Sequence, residues 1–211
     1  MGAVDAWHDV LTTLEEYKLN GKHFIGGVAD IAKFFDQIRR EMVFKVCRAA
    51  GMPEGIARAY EEYISNLKVY NCLAGGMGTP YRRRCGIPQG CPLSMTVVAL
   101  IMRPWIMIMR TYAGISCFIL ADDVLILGTG LKMLSNFSKA LNATHEYLHL
   151  MGAKVAPDKS YNFASCKKAR SWLKNTLWKH IDSGIEVIQD FRYLGAHLTS
   201  AKATCSSTLD K

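Results

Sequence analysis

Acidic side chains are missing from residues 63–121, although Lys68, Arg82, Arg83, Arg84, Arg103 and Arg110 all lie in that interval. A stretch with cations and no carboxylates of its own favours a polyanionic partner over a basic one. No C-x-x-C pair occurs among the seven cysteines. That odd count without a paired motif argues against a disulfide framework, and predicts reduced, mostly buried thiols in an intracellular protein. Residues 1–19 lack a signal-type apolar core and carry acids and Trp7 instead. The longest apolar run, residues 93–109, is broken by Arg103 and Pro104, which argues against a membrane span. Repeats, linkers and low-complexity tracts are also lacking, which leaves one domain as the simplest organisation.

What is present suits that reading. Half of the 211 residues are hydrophobic, enough for a real core, and the formal charge is +8. A second basic region holds Lys154, Lys159, Lys167, Lys168, Arg170, Lys174 and Lys179 with Asp158 as its only acid. Between the two basic regions lies Ile119-Leu120-Ala121-Asp122-Asp123-Val124-Leu125-Ile126-Leu127. Two adjacent carboxylates flanked by apolar, strand-like runs can face one site only where strand alternation breaks, as at a hairpin tip. Charges crowded into an apolar setting repel unless a cation joins them, and carboxylate oxygens suit a hard ion such as Mg²⁺.

The pattern along the chain predicts helices over 3–18, 36–50, 53–66, 92–112, 131–150 and 165–173, with Pro104 kinking or ending the fourth. Strands are expected at 23–30, 115–127 (as a hairpin) and within 154–163. Further hairpins are expected at 68–85, around Ala74-Gly75-Gly76-Met77-Gly78, and from 185–189 paired with 191–198. Helices alternating with hairpins give an α+β domain, an antiparallel sheet backed by helices. Asp36 is expected to cap the helix that follows it.

One more carboxylate at a strand end would complete a metal site, and Asp30 supplies it after Phe24-Ile25-Gly26-Gly27-Val28-Ala29. Here the sequence resembles the reverse transcriptases. Asp30-Ile31-Ala32-Lys33-Phe34-Phe35-Asp36 is similar to their first catalytic motif, and Gly86-Ile87-Pro88-Gln89-Gly90-Cys91-Pro92-Leu93-Ser94 to their glycine-proline-glutamine motif. Leu120-Ala121-Asp122-Asp123 resembles the catalytic Asp-Asp motif, Gly152 through Lys159-Ser160 the motif after it, and Phe191-Arg192-Tyr193-Leu194-Gly195 the primer-grip hairpin. Five motifs in family order make the match specific, and their details resemble group II intron and non-LTR retrotransposon enzymes more than retroviral ones.

The resemblance implies a polymerase palm with a ferredoxin-like core, partial fingers and no thumb. Residues 1–22 would be a remnant of the fingers, 23–198 the palm with its primer-grip hairpin, and 199–211 a loose polar tail. It implies two-metal nucleotidyl transfer with Mg²⁺, or Mn²⁺, held by Asp30, Asp122 and Asp123, with Ile31 beside Asp30 in the ligand set. Asp30 and Asp122 are the expected bridging ligands, and Asp123 acts with them or from just behind. Phe35 would sit under the incoming sugar and select deoxynucleotides, with Phe34 in the core. Gln89 and Gly90 would sit beside the nascent base pair, with Ile31 and Pro88 also among the substrate-binding residues, Lys159 would neutralise or protonate the leaving pyrophosphate, and Tyr193, Leu194 and Gly195 would hold the primer end. The implied partners are an RNA template, a DNA primer and dNTPs.

Two departures stand out. Leu120 occupies the place of the aromatic residue usual before Ala-Asp-Asp, and the first motif begins only about 25 residues into the chain. The family's preceding fingers segment and following thumb are expected to be missing, as in a piece of a longer polyprotein or a degenerate element copy. Alternatives are an inactive palm serving as an RNA-binding, maturase-like scaffold, and an RNA-dependent RNA polymerase, against which Phe35 argues. His145-Glu146-Tyr147-Leu148-His149 also fits the H-E-x-x-H pattern of zinc proteases. No third ligand is apparent in the sequence, and the segment falls between two polymerase motifs, so a chance match is expected.

Overall fold

The computed structural model describes residues 2–181 and 183–201. Its elements run α1 (Ala3–Leu19), β1 (Phe24–Ala29), β2 (Ile31–Ala32), α2 (Phe34–Gln37), α3 (Arg40–Ala49) and α4 (Glu54–Asn66). A ribbon follows: β3 (Lys68–Val69), β4 (Cys72–Leu73), β5 (Gly76–Met77) and β6 (Tyr81–Arg82). Then come α5 (Pro92–Met109), β7 (Ile115–Leu120), β8 (Asp123–Thr129), α6 (Met133–Leu150), β9 (Lys154–Val155), β10 (Tyr161–Ala164), α7 (Lys167–Lys174), β11 (Glu186–Val187), β12 (Asp190–Tyr193) and β13 (Ala196–Thr199).

The core is a five-stranded sheet in the order β11-β10-β1-β8-β7, antiparallel except for the β10–β11 pair. Strand alternation divides its side chains between two layers. Ile25, Ala29, Val124 and Ile126 join the larger core beneath α5 and α6. Phe24, Val28, Leu125, Leu127 and Phe163 face α1 and the β12–β13 hairpin. Two glycines in the central strand allow this close packing. A Cβ on Gly26 would stand 2.3 Å from the Phe163 ring, and one on Gly27 would stand 2.5 Å from Asn162 Oδ1. The freed space lets Phe163 stack on Phe191 with ring centres 4.2 Å apart.

α5 is long and apolar enough to cross a membrane by length and composition. Here its Val97, Val98, Ile101, Met102 and Trp105 are buried in the larger core. Trp105 Nε1–H donates to Thr144 Oγ1 at 2.9 Å, which ties α5 to α6. Of the two expected effects of Pro104, a kink or an end, the helix does not end there but continues through it to Met109. A proline inside a helix costs about 3 kcal/mol, and burial of Ile101, Met102 and Trp105 around it outweighs that cost.

The closing hairpin also departs from expectation. β12 pairs with β13 around a tight turn at Leu194 and Gly195, with φ of 48° and 88°, and β11 joins the main sheet parallel to β10. Two successive positive φ values make the tight turn that matches strand twist, so Leu-Gly sets the register. The expected helix at 36–50 is split into α2 and α3, while the segment 154–163, expected to contain a strand, holds β9 and most of β10. Of the six described cysteines only Cys47 is buried, while Cys72 and Cys85 are exposed, so the thiols are less buried than composition suggested. Part of the expected tail, residues 202–211, lies outside the described residues. Before it, Ser200 is fixed by its N–H and hydroxyl, which both donate to Gln189 O at 2.8 and 3.0 Å.

Candidate active site

The acidic residues meet at one end of the sheet. Ala29, the last residue of β1, pairs with Val124, so Asp30 follows β1 at the same end of the sheet where Asp123 begins β8. Leu120 pairs with Asp123, which leaves Ala121 and Asp122 as a two-residue turn. Ala121 takes a φ of 54° there, a left-handed conformation that costs a non-glycine residue about 1–2 kcal/mol. The strained turn carries Asp122 off the strand's alternation and sets it beside the ladder residue Asp123.

The backbone at Asp30 is fixed on both sides. Its N–H donates to Ser160 Oγ at 3.1 Å, and its carbonyl accepts from Ala156 N–H at 2.9 Å. Ser160 Oγ–H in turn donates to Ala156 O at 2.7 Å. Lys159 is exposed on this same loop, beside the serine that holds Asp30. Ile31 is buried in β2, opposite Val155. Its side chain belongs to the core, and only its carbonyl could reach an ion.

Asp30, Asp122 and Asp123 are half-buried, and among the described residues none of them has a cationic partner. Partial burial pushes the Asp123 carboxyl above its ordinary pKa, and the charges of Asp122 and Asp30 push it the same way. Crowded, unpaired carboxylates are the donor set for a hard divalent cation. Among the described residues, no three His, Cys, Asp or Glu side chains are already set close enough to close on an ion. The residue types fit Mg²⁺, and carboxylate rotation would have to complete the cage.

Tyr161 and Tyr193 border this site. Burial raises both phenols above their ordinary pKa, and the charge of Asp123 adds to it. Tyr161 O–H donates to Arg192 O at 2.7 Å, while the buried Tyr193 hydroxyl has no partner among the described residues. Of the residues expected to hold a primer end, Tyr193 lies in β12 within reach of the Asp123 charge, and Leu194 and Gly195 form the turn that follows it.

The glycine-proline-glutamine loop is stitched to the segment after Asp30. Gly86 N–H donates to Ile38 O and Ile87 N–H to Phe35 O, each at 2.7 Å. Gly86 has a φ of 82°, and a Cβ there would stand 2.7 Å from Phe35 O. Only glycine permits that approach. Phe35 is half-buried and meets the buried Phe34 edge-on at 5.7 Å. Ser94 O–H donates to Pro88 O at 2.6 Å and stiffens the loop into α5. Gln89 and Gly90 are exposed, and Gln89 with Pro88, Arg40 and Arg83 lines a cavity of about 270 Å³.

Two contacts there were not anticipated. Asp36 lies within α2 and forms an ion pair with Arg83, and no side chain caps α3, so the expected capping role is not found. Arg40 donates to Gly86 O and to Ile64 O, both at 2.8 Å. Neither partner could be read from spacing, because Arg83 and Gly86 are brought in by the fold.

An antiparallel palm-like α+β sheet with acids at adjacent strand ends and a glycine-proline-glutamine loop beside them defines the polymerase palm class. The sequence matches the reverse transcriptase (RNA-dependent DNA polymerase) family over residues 4–198, and the chain belongs to that family. No curated protein matches the sequence. Among solved structures it is similar to apo telomerase from Candida tropicalis truncated from its C-terminal domain, with TM-score 0.63 and 12% identity over 91% of this chain and 38% of that one. It is also similar to telomerases bound to a TWJ fragment of telomeric RNA. For Candida tropicalis the TM-score is 0.58 and identity 13%, over 78% of this chain and 30% of that one. For Candida albicans the values are 0.56 and 14%, over 72% and 30%. The chain thus spans between 30% and 38% of the length of these telomerases, and the likeness is one of fold.

Proposed function

We propose that this chain is the catalytic palm of an RNA-directed DNA polymerase from a retroelement of the non-LTR or group II intron kind. The observation that carries the reading is the Ala29–Val124 pairing, which brings Asp30 and Asp123 to the same end of the sheet, with Asp122 in the adjoining turn and, among the described residues, no cationic partner for any of them. Asp30, Asp122 and Asp123 would hold two Mg²⁺ ions, which supply charge stabilisation for the attacking and leaving oxygens of an in-line displacement. In that displacement the primer 3′-oxygen forms a bond to the α-phosphorus, its proton is lost, and the bond to pyrophosphate breaks. Lys159, on the loop that holds Asp30, is available to the leaving pyrophosphate. Phe35, fixed through its carbonyl by Ile87, would exclude a 2′-hydroxyl. Tyr193 and the Leu194-Gly195 turn would hold the primer end.

A nucleic-acid partner is supported by the ribbon at 68–82 and the segment after it. Lys68, Arg82, Arg83 and Arg84 are exposed there together with Tyr70 and Tyr81. Cations interleaved with aromatic rings suit phosphates and bases. The similar telomerases bound to telomeric RNA add an RNA template to the reading. Primer extension on an RNA template with Mg²⁺ tests it: dNTPs are incorporated, and Phe35→Ala raises rNTP use relative to dNTP. RNA binding without extension favours instead a maturase-like scaffold, a reading to which the incompletely closed carboxylate cage gives some weight. Preference for rNTPs in the unaltered chain would favour an RNA-dependent RNA polymerase.

A further inference from the structure

In sequence His145 and His149 lack a third partner, and the fold supplies one. α6 carries both, one turn apart on one face. His180, in the loop after α7, lines the same cavity of about 310 Å³, together with Lys154, Pro157 and Ile181. His145 is only 2% exposed, yet neither of its ring nitrogens has a hydrogen-bond partner among the described residues. A buried, unpartnered imidazole calls for an explanation, and this one borders the cavity that His149 and His180 share.

The loop that carries His180 is anchored. Lys179 N–H donates to Asn142 Oδ1 of α6 at 3.3 Å, and Ile181 N–H donates to Trp178 O at 3.2 Å. Trp178 is fully buried and meets the His145 ring edge-on at 6.4 Å. His180 is therefore held near His145 by the fold, while its own side chain and that of His149 are exposed and free to turn.

We propose that His145, His149 and His180 form a three-imidazole site for one divalent transition-metal ion of the zinc class, which clips α6 to the loop after α7. Imidazole suits zinc, copper and nickel, and carboxylate suits magnesium, so this site and the acidic one select different ions. The three rings stand apart rather than converging on one point. His145 is the fixed ligand, and the two exposed rings turn inward to it. Burial favours the neutral form of His145, which is the form that binds metal. A protease reading does not fit: Glu146, its would-be base, is exposed and does not line the cavity. An anion is the weaker occupant, since among the described residues only Lys154 in the cavity is a permanent cation.

The test uses the full chain, stripped with a chelator and titrated with Zn²⁺, and with Co²⁺ as a spectroscopic probe. One equivalent binds, excess Mg²⁺ does not displace it, and Co²⁺ shows the absorption of a nitrogen-ligated site. His149→Ala and His180→Ala, both at exposed positions that leave the core intact, each weaken binding by more than about 100-fold, beyond the range of an outer-shell change. Asp122→Asn leaves it unchanged. Absence of binding, binding that survives either histidine replacement, or binding lost with Asp122→Asn overturns the proposal.

Discussion

The acidic end of the sheet and the histidine cavity beside α6 both gather metal-binding side chains, and they are unbalanced in opposite ways. At the acidic end, three carboxylates lie together without cationic partners among the described residues, and partial burial, with the charges of Asp122 and Asp30 added, raises the pKa of Asp123. In the cavity, a buried imidazole has no hydrogen-bond partner among those residues. One place has too much charge of one sign and the other too few polar contacts. A hard dication relieves the first, and a borderline ion with nitrogen affinity relieves the second. The difference teaches that the same molecule can present two ion sites whose chemistry keeps them separate.

The sharpest way to break the comparison is to remove the acids. Asp122→Asn with Asp123→Asn is expected to lower primer extension by at least about a thousandfold, since losing roughly 4 kcal/mol of charge stabilisation has that effect. Zinc binding should be untouched. Extension that persists in the double variant would defeat the assignment of the acidic site.

The next largest effect acts on the acidic site from a distance. Gly86→Ala puts a methyl group 2.7 Å from Phe35 O at a φ of 82°. Backbone strain of this kind costs about 1–3 kcal/mol, and the clash is with backbone that cannot swing aside. Denaturant titration should read that loss, and extension should fall because Phe35 and Ile87 are displaced. A variant with unchanged stability and activity would mean that the loop is not stitched to the first motif.

The two places are also unequally legible in sequence. Asp122 and Asp123 are neighbours, Asp30 ends a strand-like run, and Gly86 sits in a recognisable loop, so local pattern finds them. The paired strands around Gly26 and Gly27 and the long helices are legible for the same reason. The histidine trio is not, since His180 joins His145 and His149 only through the loop anchored to Asn142. Asp36 reads as a cap in sequence because its partner Arg83 lies across a ribbon of strands. The last hairpin falls several residues away from its expected place because β11 leaves it for the main sheet, a choice made by packing against β10.

Acidity separates the two places by sign. Asp123 has a folded pKa raised above its ordinary 3.8. The folded chain therefore holds that proton more tightly, and the stability it lends is lost as pH rises through the folded value. Asp123→Asn should accordingly raise the melting temperature at neutral pH while abolishing extension. His145 runs the other way. Burial chiefly, and the charge of nearby His180, lower its pKa from 6.5 to about 4. Its contribution is complete above about pH 6.5 and is lost as pH falls toward 4, a change on the order of 3 kcal/mol. Among the described residues, His180, His149 and Lys154 are the other titratable groups facing that cavity. Denaturant titrations of the metal-free chain at several pH values check this, and a flat profile would mean that the buried ring finds a partner.

The smallest expected effect separates the acids that have a cation from those that do not. Asp36 has one in Arg83, with side chains 36% and 40% exposed. Exposed pairs of this kind contribute about 0–1 kcal/mol, because water already screens both charges. Arg83→Ala should therefore lower stability by less than about 1 kcal/mol and leave zinc binding as it was. A much larger loss would show that Asp36 is desolvated and dependent on its partner. It would then belong with Asp30, Asp122 and Asp123 as a fourth crowded carboxylate, and the contrast between paired and unpaired acids would fail.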